Sequence, residues 1–556
     1  MPGAGRIPAA GKIAGAAALI AALTVASRLA GFGRTAVFTW VLYSDLGGMY
    51  VVANTVPNII FEIVAGGALA SLVVPLLARA VAADDRRAVA ATTAALVTWT
   101  VSLLVPLAVA VALLAEPIIG LLSDEASQSP DQIAAGARLL RIFAPQLPLY
   151  GIGIVLTGVL QAHRRFAWPV LAPLLSSVTV IGVYLAFAAM EGSGASVAEV
   201  SPGGEWLLAG GTTLGVVVLS LSLLIPLRRL GLRPWRPTYT FSAEARRKVG
   251  GLAVAGAVAV AGQQIALLVM LRLVNGGSTS DPVVFNLAQT MFLLPWAVLA
   301  VPLAVAAYPN LAAAAAERDE RTYREVLAPT ARRVLLFSCL GAAALVATAA
   351  PVARFFLGDA TAAGPTGAGA AAIAGFAPGL LGYGLFAVLT RALYARGGTR
   401  SASLATAAGW LAVPLASVAL SALAPVEYRV AAVAAGNSIG MLVLGVLLVV
   451  VVARAAGRPA LRGLPRAAVV GLTAGTVAAV AGTVVAHALT GVPFDTPPRL
   501  AAFVQGMLSG VVVGAVFVAV AYPLDRRDLR PMLGTLRRRL GGAGARRAEG
   551  KETHSP

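Results

Sequence analysis

Five ionisable side chains interrupt stretches that are otherwise apolar or small. Arg28 and Arg34 fall within residues 13–43, Glu62 within 47–78, Arg272 within 249–274 and Arg391 within 371–394. A charge at the centre of a bilayer costs about 2.5–3.5 kcal/mol even on the mildest scale, so each needs a physical reason. Guanidinium stays charged at any accessible pH, and its planar fork donates two hydrogen bonds to phosphate oxygens. Arg28 and Arg34 are therefore candidate ligands for an anionic group. Arg28 lies 16 residues from Lys12 and 17 from Asp45, and Glu62 lies 17 from both Asp45 and Arg79, which places both at mid-membrane on successive spans. Two readings follow: an Arg28–Glu62 ion pair that fastens the spans, or a cavity-facing arginine that Glu62 restrains between loads. Arg34 lies nearer the outer face, where snorkelling is the alternative. Six residues separate the arginines by about 120° around an ideal helix, and Gly31 and Gly33 permit a bend that aims both at one ligand.

The remaining polar positions carry weaker signals. Gln263 and Gln264 sit at mid-depth in 249–274 and either hydrogen-bond sugar or peptide groups or fasten helices. Asn54 either lines a cavity or, beside Pro57, satisfies freed backbone groups. Arg391, five residues before Arg396, and Arg272, near the end of its span, are expected to snorkel to the interfaces. His487 reads as a packing residue. Nothing points to catalysis: the three histidines have no metalloprotease spacing, Cys339 is the only cysteine, and there is no phosphate-binding GxxxxGK[ST] loop. No enzyme activity, cofactor or metal is expected.

The elements that must position these residues follow from composition. Of 556 residues 58% are hydrophobic and 12% charged, with mean hydropathy +0.83; a soluble domain carries about 25% charged residues. The chain reads as an all-α polytopic membrane protein. Runs of about 20 apolar residues, the length needed to cross about 30 Å of hydrocarbon, give fourteen candidate spans. They lie near 13–43, 47–78, 89–115, 136–162, 168–190, 206–227, 249–274, 283–309, 334–356, 371–394, 401–421, 430–453, 467–489 and 500–523. The net charge of +19 resembles that of a nucleic-acid binder, but 34 of the 43 Lys and Arg lie in alternate connecting segments and the termini. That bias places both termini in the cytoplasm of a cell-membrane protein and excludes nucleic acid as the reason for the charge. The basic segment RRDLRPMLGTLRRRLGGAGARR suits anionic lipid.

The chain also repeats itself. FAPQLPLYGIGIVLTGVLQAHRR from Phe143 matches FAPGLLGYGLFAVLTRALYARGG from Phe376, with Tyr150 and Tyr383 equivalent at an offset of 233 residues. AEPIIGLLSDEA resembles AAPVARFFLGDA, and VVPLLARAVAADDRR resembles AYPNLAAAAAERDER, at nearly the same offset. Six spans per repeat imply two six-helix bundles related by an axis along the membrane normal, with two C-terminal spans added. The expected divisions are 1–245 and 246–455 for the bundles, 456–523 for the added helices and 524–556 for a basic cytoplasmic tail.

SRLAGFGR, then NTVPNIIFEIVAGGALASLVVPLLARA, then LLRIFAPQLPLYGIGIVLTGVLQAHRRFAWPVLAPLL, together resemble the MurJ/MviN family of lipid II flippases, within the multidrug/oligosaccharidyl-lipid/polysaccharide exporter superfamily. The resemblance covers essentially the whole chain. It implies transport of an undecaprenyl-pyrophosphate-linked peptidoglycan precursor from inner to outer leaflet; membrane lipids are expected partners, and cell-envelope assembly proteins are a candidate further class. Against the family pattern, Gly48 replaces an acid, Phe61-Glu62 an arginine pair, Met270 an aspartate and Thr290 an arginine. Transport of another polyprenyl-linked glycan, and ion-coupled drug or metabolite antiport through Glu62, are the alternatives. A non-transporting scaffold for envelope assembly is a third.

Overall fold

A computed structural model describes residues 10–63, 70–123, 127–230, 236–240, 260–358, 365–491 and 498–526. Among the described residues every regular element is a helix. The first part holds α1 (Ala10–Val41), α2 (Asp45–Glu62), α3 (Ala70–Ala82), α4 (Arg86–Leu113), α5 (Ala115–Leu122), α6 (Pro130–Phe143) and α7 (Gln146–Ala162). It continues with α8 (Ala167–Glu191), α9 (Pro202–Leu221), α10 (Leu224–Arg228), α11 (Val260–Asn275) and α12 (Asp281–Pro295). The rest comprises α13 (Val301–Ala316), α14 (Glu320–Leu357), α15 (Pro365–Phe376), α16 (Gly379–Ala395), α17 (Thr399–Leu423), α18 (Arg429–Ala456), α19 (Leu464–Ala488) and α20 (Pro498–Leu524). Among the described residues, eleven helices or helix pairs are long and apolar enough to cross a membrane. With α1, the α2–α3 pair and α11 they account for the fourteen expected spans. The N-terminal nine residues, part of span 7 and the tail beyond Arg526 lie outside the described residues.

Local chemistry explains where the helices begin. Ser44 accepts from the Gly47 N–H at the start of α2, and Ser129 and Gln132 form a reciprocal capping box before α6. Ser201 caps α9 with Pro202 in the first turn. Asp85 caps α4 and Asp319 caps α14, each preceded by a residue with left-handed backbone, Asp84 (φ 49°) and Arg318 (φ 58°). These pairs are repeat equivalents. So are Arg164 (φ 57°) and Gly397 (φ 74°), which end α7 and α16. The repeat seen in the sequence is thus carried into matching turn conformations.

Helix faces that water would reject are exposed: Leu113 is 76% accessible, Leu415 73% and Val511 64%. Such continuous apolar surface fits hydrocarbon rather than solvent. The chain is a multi-pass membrane protein.

The chain divides into two compact units, Met1–Thr290 with Pro425–Val430, and Met291–Ala424 with Ala431–Pro556. In the first, a core of Phe38, Leu42, Leu46, Met49, Phe143 and Phe187 occupies one end, and Val73, Leu77, Leu156, Leu160 and Leu227 the other. At the α1–α2 end, Asp45 accepts from Gln132 Nε2 (2.9 Å) and the Val197 N–H (3.0 Å). Arg138 there forks onto buried Glu205 at 2.8 and 2.6 Å. Asn275 on α11 donates to the Leu122 carbonyl (2.8 Å) and accepts from Gln128 (2.5 Å). Such contacts keep α11 and the start of α12 with the first unit, whereas the expected division near 245 follows the repeat. In the second unit the 38-residue α14 packs against α15, α16, α19 and α20.

Candidate substrate-binding cavity

The first unit encloses a cavity of about 230 Å³ whose wall is mostly polar. α1 contributes Arg34, Thr35 and Phe38. α2 contributes Tyr50, Asn54 and Asn58, which recur every four residues and so share one helical face, with Thr55 beside them. Tyr150 comes from α7, Ser176 and Tyr184 from α8, Thr212 from α9 and Asn286 from α12.

The wall is ordered by its own hydrogen bonds. Tyr50 Oη lies 2.9 Å from both Tyr184 Oη and Thr212 Oγ1, and Thr212 donates to the Leu208 carbonyl at 2.7 Å. Tyr150 donates to Asn58 Oδ1 (3.1 Å), whose amide nitrogen donates to the Asn54 carbonyl (2.8 Å). The Asn54 side-chain Oδ1 is buried with no partner. The Arg34 guanidinium makes no hydrogen bond or ion pair among the described residues. A fixed cation and an unfilled acceptor therefore face the same space. An anion suits the first and a hydroxyl or amide N–H the second.

The expected site residues do not all meet here. Arg34 and Asn54 line the cavity. Arg28 is exposed on α1 and is not part of the wall. α1 runs as one helix through Gly31 and Gly33, so the roughly 120° between the two arginines persists and only Arg34 turns inward. Glu62 is exposed at the end of α2 and is likewise not part of the wall. No ion pair joins Arg28 to Glu62 among the described residues, so the fastening expected from equal depth is not formed. Equal depth does not fix azimuth. Gln264 is buried on α11 with its Oε1 unpartnered, and Gln263 beside it is half-buried; neither lines this cavity. Arg391 folds back onto the Ala387 carbonyl of its own helix.

Sequence reasoning missed Asn58, Tyr50, Tyr184 and Thr212. The i, i+4 spacing of Asn54 and Asn58 was the available signal for the first. The two tyrosines and the threonine come from three helices, and no spacing along the chain reveals such a cluster.

A family profile described as lipid II flippase MurJ matches residues 16–502. A lipid II flippase MurJ from Burkholderia cenocepacia is 24% identical over 388 residues, 68% of this chain and 72% of that protein. A probable lipid II flippase MurJ from Synechocystis is 28% identical over 203 residues, and the match spans only 37% of that relative's length and 36% of this chain. Among solved structures, a lipid II flippase MurJ in an inward closed conformation superposes with a TM-score of 0.68 at 18% identity, over 90% of this chain and 99% of that one. An inward-facing multidrug resistance MATE family transporter gives 0.64 at 16% identity, over 80% and 98%. At these identities the structural likeness shows the fold alone.

Proposed function

The chain belongs to the lipid II flippase MurJ family, and from that premise we propose that it carries an undecaprenyl-pyrophosphate-linked peptidoglycan precursor from the inner to the outer leaflet. The observation that carries the reading is the unpaired Arg34 guanidinium on the polar wall of the cavity. Arg34 binds the pyrophosphate through its two-pronged fork. Asn54 accepts from a sugar hydroxyl or amide, while the polyprenyl tail stays in the bilayer. Arg28, exposed one and a half turns nearer the N-terminus, meets the headgroup on its way in, and Gln263 and Gln264 serve a later stage of passage. The two bundles alternate access by rocking, with both termini cytoplasmic. The chain has no nucleotide-binding motif, so net movement draws on the membrane potential, an ion gradient or consumption of the precursor outside. It performs no covalent chemistry.

The test is a flipping assay in proteoliposomes loaded with lipid II. Arg34→Ala should lower the rate by about two orders of magnitude if the charge-assisted contact is lost, and Arg34→Lys should recover only part. Wild-type rates in Arg34→Ala would sink the assignment. Loss of flipping for lipid II but not for another polyprenyl-pyrophosphate glycan would move the cargo and keep the site.

A further inference from the structure

We propose that the helix α12–α13 carries a hinge, held by Tyr383. α12 runs without a break through a π-helical turn, Trp296–Ala300, into α13. A π turn is one residue too many for an α-helix, and its looser hydrogen bonds occur mostly where a helix must yield. Pro295 and Pro302 bracket the turn and each removes a backbone donor. The ladder is therefore thinnest over this turn.

In the first repeat the equivalent residue, Ile63, donates to the Ile59 and Ile60 carbonyls at the end of α2, and the six residues after it lie outside the described residues. Each repeat's tyrosine does meet an aromatic ring in this region. Tyr150 packs on Phe61, two residues before Ile63, with ring centroids 4.4 Å apart. Tyr383, the equivalent of Tyr150, stacks on Trp296 at 4.6 Å and accepts the Trp296 indole N–H on its backbone carbonyl at 3.0 Å. Phe292 stacks on the same tyrosine from one turn earlier, at 5.6 Å. At the repeat offsets Phe61 corresponds to Leu294 or Pro295, so the ring that meets the tyrosine lies one or two positions away from Trp296. Chain connectivity adds a reason. The division between the compact units falls at Thr290–Met291, inside α12 and one and a half turns before the π turn. The chain also crosses between the units at Ala424–Pro425 and Val430–Ala431, but along α12 the crossing lies within a long helix, which bends most easily where the ladder is thinnest.

The test uses the full chain in lipid nanodiscs with Cys339→Ala and spin labels at Ser278→Cys and Tyr308→Cys, one on each side of the turn. The distance measurements need no cargo, so their outcome is independent of what is transported. The labelled parent should show a broad or two-component distance distribution. Deleting Val298, which is exposed in the turn, removes the extra residue and lets the helix close as α. The distribution should then collapse to one narrow distance with the melting midpoint kept, and flipping should fall at least about tenfold as for other hinge lesions. Trp296→Phe, which keeps a ring on Tyr383, should retain the parent distribution, and Trp296→Leu should broaden it; this pair decides the matter if the deletion does not fold. One narrow distance in both the parent and the deletion, or a Trp296→Leu distribution equal to the parent's, would overturn the hinge.

Discussion

At the scale of single residues, direction outweighs depth. Arg28 and Arg34 lie on one helix, but only Arg34 reaches the cavity. Arg28→Ala should therefore reduce precursor binding far less than Arg34→Ala, as read by binding isotherms in nanodiscs. Glu62→Gln should leave the melting temperature unchanged, because Glu62 has no partner to lose. A buried pair broken on one side would instead cost about 3–5 kcal/mol. The Arg138–Glu205 fork behaves differently. Glu205 is buried and Arg138 is about half exposed, so Arg138→Met strands a carboxylate beside partial solvent. The expected loss is about 1–2 kcal/mol, below the fully buried case because water screens the arginine. Outside the spans, Asp319 has its carboxyl held below the ordinary 3.8 by the Thr322 hydroxyl and the Thr322 and Arg321 amides. Its contribution to stability is therefore present above that ordinary value and is lost as pH falls through the lowered one. Asp319→Asn should flatten the acid limb of the melting-temperature profile below about pH 4. What the sequence revealed at this scale was residue type: permanent cations and amides in apolar runs. It did not reveal azimuth, which packing sets, so Arg28 and Glu62 looked like neighbours and Tyr184 and Thr212 were invisible.

At the scale of elements, the sequence was far more informative, because hydrocarbon thickness imposes one length on every span. Expected runs such as 401–421 and 500–523 became Thr399–Leu423 and Pro498–Leu524, extended only by caps and interfacial turns. Helix subdivision was harder to read. The π turn at Trp296 leaves no mark in an apolar pattern, since one extra residue shifts the face without changing composition. Close approach between helices is partly legible in small residues. Gly382 on α16 meets α18 so tightly that an added Cβ would collide with the Met441 carbonyl, while Gly445 lies against it from the other side. Backbone cannot move aside as a flexible side chain can. Gly382→Ala should destabilise by about 1–3 kcal/mol, measured as a fall in the detergent melting midpoint. Gly510→Ala on α20, where a Cβ meets open space, is the matched control and should be neutral or slightly stabilising, since alanine is the better helix former.

At the scale of the whole molecule, charge distribution carries the argument that geometry alone does not. The two repeats share cap residues and left-handed turns, as six spans per repeat require if both run in the same direction through the membrane. Which face is inside rests on arginine. The turn at Asp84 and its equivalent at Arg318 sit among basic residues, whereas Gly192–Val200 contains Glu199 and no Lys or Arg. On the positive-inside bias we expect the first two in the cytoplasm and the third outside. A cysteine at Ser193, which is exposed, should react with a membrane-impermeant maleimide in intact cells. A cysteine at Ala83, exposed beside Asp84, should react only after permeabilisation. Native Cys339 is buried and gives no background. Labelling at Ala83 but not at Ser193 in intact cells would invert the protein in the membrane. The cavity would be unchanged by that inversion, but the leaflet from which Arg34 takes its pyrophosphate would be the opposite one, and outward flipping would have to be abandoned.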